Sequence, residues 1–354
     1  MAAVKFLNRE IDGASPSGKA AVFGTAIRRF ESFRPNFRDD CLTMHSAASF
    51  MLFAGSSHEE LAKKIADELH IKLGEVRRET FPDGEIGIQI LESVRGKDVF
   101  VLQSLARRPN HFLMELLIMV DALKRASARS ISAVIPYYAY ARQDRKDKPR
   151  VPITAKLVAN LLEKAGVDRV LSMDLHTEQI QGFFDIPVDN LYARPLFIRT
   201  FLDLGLRDLT VVSPDTGSNR MARKFAEELG ADLAFVDKRR VSGTQVETGA
   251  VIGDVSGHVL IVDDMSSKGD TLKRTAEACL KNGAESVIAA VTHGLFIGDA
   301  LKESGIDCVY TTDTVPMGSN KPFALQCVST APLFAAAIDC VANAKSVTSL
   351  FKID

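Results

Sequence analysis

The sequence lacks most of the features that would tie a chain to a membrane, a metal cage or a nucleic-acid backbone. No apolar run approaches the roughly 18–20 residues needed to cross a bilayer, and the N-terminal stretch has no hydrophobic signal core. The five cysteines (Cys41, Cys279, Cys308, Cys327, Cys340) form no C-x-x-C pair and no His/Cys cluster at zinc-ligand spacing. An odd number in a chain of this size predicts free thiols in a reducing compartment, not a disulfide framework. Charge of neither sign is in excess: 44 Lys and Arg stand against 45 Asp and Glu, a formal charge of −1. That balance excludes a function resting on bulk attraction to nucleic acid or acidic lipid, so any anion site must be local. Neither a Walker A pattern nor a kinase catalytic loop is present, so a nucleotide would be held another way. What remains is 46% hydrophobic and 25% charged, an ordinary globular balance. Its 354 residues suggest about two domains. A soluble, cytoplasmic protein with no nucleic-acid or membrane partner is expected.

Residues 1–50 mix both charge signs with Gly, Ser and Pro and show no clean period; they read as an N-terminal extension, flexible or preceding the true start. Their acids argue against an organelle transit peptide. From Met51 onward, strand-like and helix-like stretches alternate. Met51–Ala54, Val99–Leu102 and Ile131–Ile135 are apolar and β-branched runs, whereas Glu59–Leu69 and Leu113–Arg125 carry apolar residues at helical spacing. This alternation predicts an α/β fold with a mainly parallel sheet covered on both faces. The second half repeats the first at an offset of about 160 residues, with Val211–Val212, His258–Val262 and Ser286–Val291 echoing the three early strands. Two copies of one α/β unit are expected, and ligands in such sheets bind beyond the carboxyl ends of strands.

The strongest local signal lies at one such end. Leu260–Val262 runs into Asp263-Asp264-Met265-Ser266-Ser267-Lys268-Gly269-Asp270-Thr271, and a helix follows over Thr271–Leu280. A small polar turn at a helix N-terminus suits a phosphate, and paired carboxylates suit the vicinal hydroxyls of a ribose or a divalent ion. One strand earlier, Val212-Ser213-Pro214-Asp215-Thr216-Gly217-Ser218 repeats the order of strand, acid, small turn and helix. Asp215 there is equally a metal ligand or the anchor of an Asx-turn. His176 closes Met173-Asp174-Leu175-His176 after the apolar Val170–Leu171. Two basic stretches, Tyr140–Lys148 and Asp237–Arg240, follow strands, and the second is expected to open a polar loop over 241–247. Mobile cations at strand ends could close over phosphoryl charge. Pattern alone therefore points to a duplicated α/β protein that binds phosphorylated sugars or nucleotides, with a metal.

Four segments go further: HTEQIQGFFDIPVDN (His176–Asn190), YARQD (Tyr140–Asp144), PITAKLVAN (Pro152–Asn160) and FPDGE (Phe81–Glu85). Together they resemble the ribose-phosphate pyrophosphokinases, the phosphoribosyl pyrophosphate synthetases, over about residues 51–354. The resemblance implies two tandem domains of the type I phosphoribosyltransferase fold, residues 51–192 on the ATP side and 193–354 on the ribose 5-phosphate side, with a tail packing back on the first. It implies transfer of the β,γ-diphosphoryl group of ATP to O1 of ribose 5-phosphate, with Mg2+ as cofactor. Carried over position by position, Phe81, Asp83, Gly84, Glu85, Arg142 and Gln143 would bind ATP. His176 and Asp215 would hold magnesium, and Lys238 and Arg240 would be the catalytic cations. Arg240, Asp263, Asp264, Ser267, Lys268, Gly269, Asp270 and Thr271 would bind ribose 5-phosphate. The resemblance also implies a homohexamer regulated by phosphate and ADP, with Gln181, Asp189, Asn190, Ser346, Thr348 and Phe351 in the allosteric site.

The chain departs from the family pattern in the ribose-phosphate loop, where Ser267 replaces an acid, Lys268 a threonine and Asp270 a glycine. The two new charges are expected to offset each other through a Lys268–Asp270 contact. The altered loop keeps a second reading open, a catalytically silent subunit that regulates an active partner. Glu178, where the family often has a small hydroxyl residue, would repel phosphate and weaken activation.

Overall fold

The computed structural model describes residues 50–206, 208–240, 246–318 and 323–351. The chain divides into two compact units: residues 50–195, 313–317 and 329–351 form the first, and the remaining described residues the second. The division thus falls at 195/196, and the last helix belongs with the first unit.

In the first unit, β1 (Phe50–Ala54) leads into α1 (Glu59–Glu68), then a hairpin of β2 (Val76–Thr80) and β3 (Ile86–Ile90). Next come β4 (Asp98–Leu102), α2 (Pro109–Arg125), β5 (Ser130–Ile135), α3 (Thr154–Ala165), β6 (Arg169–Met173) and β7 (Val188–Leu191). The sheet is wholly parallel in the order β1-β4-β5-β6-β7. Its strands are mostly apolar because both faces are covered. Val99 and Val101 of β4, with Ile131, Ala133 and Ile135 of β5, pack against Leu116, Val120 and Leu123 of α2 and Val158 and Leu162 of α3. Phe100, Leu102 and Val134 are buried on the opposite face. Each such side chain contributes about 1.5–3 kcal/mol of burial. Helix α2 starts with Pro109 in its first turn and ends on Lys124 and Arg125, both favourable at those ends.

The second unit begins within α4 (Arg194–Leu204) and runs through β8 (Leu209–Ser213), α5 (Asn219–Leu229), β9 (Asp232–Arg240), β10 (Val246–Ile252), β11 (Gly257–Ser266), α6 (Asp270–Lys281), β12 (Ala284–Gly294), β13 (Cys308–Thr312) and β14 (Leu325–Val328). The sheet order is β10-β9-β8-β11-β12-β13-β14, parallel except for the β9–β10 edge pair. Val259 and Ile261 pack with Leu272, Ala276 and Cys279 of α6 in its core. Helix α7 (Ala331–Ala342) then returns to the first unit, where it packs on α1.

The repeat read from the sequence is present as topology. In each unit the first strand is followed by a helix and a hairpin, and the next strand pairs on the other side of the first. The difference is at the edge: β9 and β10 stay in the sheet, whereas β2 and β3 leave it after one bridge between Leu52 and Leu73.

Candidate active site

In the second unit, β8 feeds β9 on one side while β11 returns on the other, so the chain switches direction between β8 and β11. Open α/β sheets bind ligands in the crevice at such a point. β11 pairs with β8 only as far as Ile261 but with β12 as far as Ser266. The extra length carries Asp263 and Asp264 past the tip of β8, where Asp215 begins the turn into α5.

Three groups meet there. Asp215 Oδ1 accepts from the backbone N–H of Gly217 at 3.0 Å and of Ser218 at 3.3 Å, which closes an Asx-type turn. Asp263 Oδ1 accepts from the Ser218 hydroxyl at 2.6 Å and from the Asp264 N–H at 3.1 Å. Asp263 is only 8% exposed. Its burial first, then the neighbouring carboxylates of Asp264 and Asp215, push its pKa up to about 8, against the pull of the Ser218 hydrogen bond. That surrounding favours the protonated form of Asp263 when nothing positive is bound beside it.

The loop beyond β11 is pinned by Leu295 N–H to Ser266 O at 2.9 Å and Ile297 N–H to Ser267 O at 2.7 Å. Gly269, with φ +94°, is the turn into α6, and a Cβ there would lie 2.6 Å from Leu301 Cγ. Only glycine satisfies both demands. The helix starts at Asp270, one residue earlier than expected. Lys268 and Asp270 are exposed and form no ion pair with each other, which corrects the expected contact. Residues two apart at a helix start point away from one another. The first N–H groups of α6 have no intrahelical partner and suit an anion.

Lys238 and Arg240 correct a second expectation. They lie within β9, opposite Thr248 and Val246 of β10, not in a loop that follows the strand. The pairing of β9 with β8 ends at Phe235, so this end of the strand is paired on the β10 side alone, and such a half-paired stretch tolerates charge. Residues 241–245, expected in that loop, lie outside the described residues.

The first-unit positions lie on three loops. Phe81–Glu85 is the β2–β3 turn, closed by Phe81 N–H to Glu85 O at 2.8 Å and shaped by Gly84, whose φ is +94°. Phe81 is 44% exposed, an aromatic face open to a ligand. Asp83 Oδ1 accepts from the Glu85 N–H at 3.1 Å. Arg142 and Gln143 follow β5, where the Gln143 amide oxygen accepts from the Thr154 hydroxyl, while Arg142 is exposed. His176 is exposed after β6, on a loop held by Leu175 N–H to Asn190 Oδ1 at 3.0 Å and Ala193 N–H to Asp174 Oδ2 at 3.1 Å. Of the remaining positions, Gln181 donates to Glu178 O at 3.1 Å and Asp189 pairs with Arg169 at 2.6 Å. Ser346 and Thr348 are exposed beside the terminal turn Val347–Phe351.

Residues 50–166 match the model of the N-terminal domain of ribose phosphate pyrophosphokinase, and residues 190–326 match a phosphoribosyl transferase domain. A ribose-phosphate pyrophosphokinase of Caldanaerobacter subterraneus is 51% identical over 309 residues, covering 86% of this chain and 98% of that protein. The Chromobacterium violaceum protein of the same name is 48% identical, covering 86% and 95%. The crystal structure of phosphoribosylpyrophosphate synthetase from Mycobacterium smegmatis is 44% identical and superposes with a TM-score of 0.79, over 83% of this chain and 99% of that one. The chain belongs to the ribose-phosphate pyrophosphokinase family.

Its two units are phosphoribosyltransferase-type domains, and this pyrophosphokinase fold has put different groups in its two crevices. At the β1/β4 tips of the first unit, Ser57 N–H donates to Gln103 Oε1 at 3.1 Å, and Ser56 N–H donates to Glu115 Oε1 at 2.8 Å. A Cβ at Gly55 would sit 2.3 Å from Gln103 Oε1, so that amide occupies the space a ligand would need. None of Gln103, Glu115 or Ser218 was foreseen. A serine before a helix reads as a cap, and a polar residue in a strand or helix reveals its partner only once the chain is folded.

The residues of this pyrophosphokinase also fit a divalent ion of the magnesium type. Among the described residues, no three His, Cys, Asp or Glu side chains form a metal cage. Magnesium needs none, since it takes one or two carboxylates and fills its other positions with water and substrate phosphate. Asp215 and Asp264 offer hard oxygen at the crevice, and His176 is exposed on its own loop.

Proposed function

We propose that this chain transfers the β,γ-diphosphoryl group of ATP to O1 of ribose 5-phosphate, giving phosphoribosyl pyrophosphate and AMP. The observation that carries the reading is the β8/β11 crevice, where acids for a sugar lie beside a helix start for its phosphate. The 5-phosphate sits on the first N–H groups of α6, with Thr271 and the Lys268 cation beside it. Asp263 and Asp264 take the ribose 2- and 3-hydroxyls. Asp263, whose protonated form is favoured by burial and its acidic neighbours, can in that form both donate and accept there. The β2–β3 turn offers the Phe81 face and the Asp83 and Glu85 carboxylates to adenine, and Arg142 and Gln143 serve the phosphates and ribose of ATP.

In the reaction, a bond forms between O1 and the β-phosphorus while the bridging bond to the α-phosphate breaks. The O1 proton is lost and AMP leaves. Most of the acceleration in such a step comes from in-line positioning and from cations on the equatorial oxygens, which is the role of Lys238 and Arg240. Asp215 in the second unit and His176 in the first would each serve as a ligand for magnesium, which would supply charge neutralisation on the phosphates. The same reading places the protein in the cytoplasm as a homohexamer, with phosphate and ADP as effectors at Gln181, Asp189, Asn190 and the 346–351 turn.

The test is AMP and phosphoribosyl pyrophosphate release by the purified full chain with ATP, magnesium and a panel of sugar phosphates. AMP formation dependent on ribose 5-phosphate is expected. No AMP with any sugar phosphate would overturn the activity and leave a silent subunit.

A further inference from the structure

Ser218 immediately precedes α5, at its N-cap position. Serine is among the best N-caps because its oxygen accepts from the N–H two or three residues on, a contact generally worth about 0.5–2 kcal/mol. Here the side chain makes no such bond. Its hydroxyl turns instead to the neighbouring strand and donates to Asp263 Oδ1 at 2.6 Å, with Asp215 Oδ1 at 3.5 Å. Its own N–H holds Asp215 Oδ1 at 3.3 Å. The residue is buried, 6% exposed, so water cannot readily take over either contact.

Given the proposed activity, on which this rests, we infer that Ser218 is a positioning residue that locks the Asp263 carboxyl to the Asp215 turn and so presets the sugar-binding oxygens. The helix forgoes its cap, and the carboxyl gains a fixed direction. Asp263 Oδ1 is fully engaged by Ser218 and by the Asp264 N–H, which leaves Oδ2 as the atom that meets a ribose hydroxyl. Without the serine hydroxyl the carboxyl can rotate about its last bond, and only the sugar side of the reaction should suffer.

The experiment compares wild type, Ser218→Ala and Ser218→Thr as full chains. Ribose 5-phosphate binding is followed by calorimetry without ATP, KM for each substrate by AMP release, and the melting temperature alongside. Expected for Ser218→Ala is about tenfold weaker ribose 5-phosphate binding, the scale of one hydrogen bond, and an equal rise in its KM. The KM for ATP stays within twofold, and the melting temperature falls by a few degrees at most, since one buried hydrogen bond but no cap is lost. Ser218→Thr, which keeps a hydroxyl, recovers affinity to within about threefold. Unchanged ribose 5-phosphate affinity in Ser218→Ala would overturn the inference. So would an equal loss for both substrates accompanied by a lower melting temperature, the signature of a merely structural serine. A wild-type chain that fails to bind ribose 5-phosphate would instead remove the proposed activity, and this inference with it.

Discussion

The two crevices of this molecule share one topology and have opposite contents. At β1/β4 the strand tips are sealed from within, by Gln103 across Gly55 and by Glu115 on Ser56. At β8/β11 the corresponding tips carry Asp215, Asp263 and Asp264, followed by a loop that ends in an unpaired helix start. Duplication of a fold thus copies the scaffold and not the site. What decides is whether the side chains beyond the strand tips satisfy one another or wait for a ligand. Glu115 has both of its oxygens engaged by Ser56, whereas Asp263, through burial first and two neighbouring carboxylates after it, has its pKa raised to about 8, an arrangement made tolerable by a proton or by something positive.

The comparison can be broken most sharply at the hairpins. Each unit has one after the helix that follows its first strand. In the first, Arg77 and Arg78 are engaged by Gln89 and Glu59, whereas the second carries Lys238 and Arg240 on β9. Lys238→Ala is expected to lower kcat at least ~100-fold, the scale for removal of a transition-state donor, with little change in ribose 5-phosphate affinity. Steady-state rates decide it, and a loss under tenfold would end the assignment.

A second difference lies in how the buried acid of the second crevice responds to pH. A carboxyl with a raised folded pKa stabilises the fold at low pH. That contribution is lost as pH climbs from the unfolded value of ~3.9 toward about 8. Asp263→Asn removes the dependence, so its melting temperature should gain on wild type between pH 5 and pH 8 and run parallel above. Thermal melts across that range test it. A difference that stays flat would place the charge elsewhere.

The smallest effect belongs to the sealed crevice. Glu115→Ala should cost about 1–3 kcal/mol of stability, through two hydrogen bonds to a charged group and a lost buried side chain. Its kcat should stay within twofold, because no ligand is expected there. A large loss of activity would mean that the first crevice works too.

Much of this was legible before folding. Apolar β-branched runs at regular distance gave the sheets, and the 263–271 segment reads as a candidate phosphate-binding turn because acids, small residues and a helix start occur in one stretch. Lys238 and Arg240 misled as to local structure, since charge near a glycine reads as a loop, yet the end of β9 beyond its pairing with β8 accommodates it. The β2–β3 strands went unread because Arg77, Arg78 and Glu79 interrupt any apolar alternation. Ser218, Gln103 and Glu115 were invisible for a different reason: each matters through a partner 45 to 59 residues away that only the fold brings near.

One feature of the chain path bears on how the protein is made. Helix α7, the last in sequence, covers α1 of the first unit, with Leu333, Phe334 and Ile338 as buried as Leu61 and Ile65. While the ribosome is still at work, α1 must expose that apolar face, and the second unit has all its strands some residues sooner. The half synthesised first is therefore completed last, and a nascent chain stalled before residue 331 would be a natural client for a chaperone.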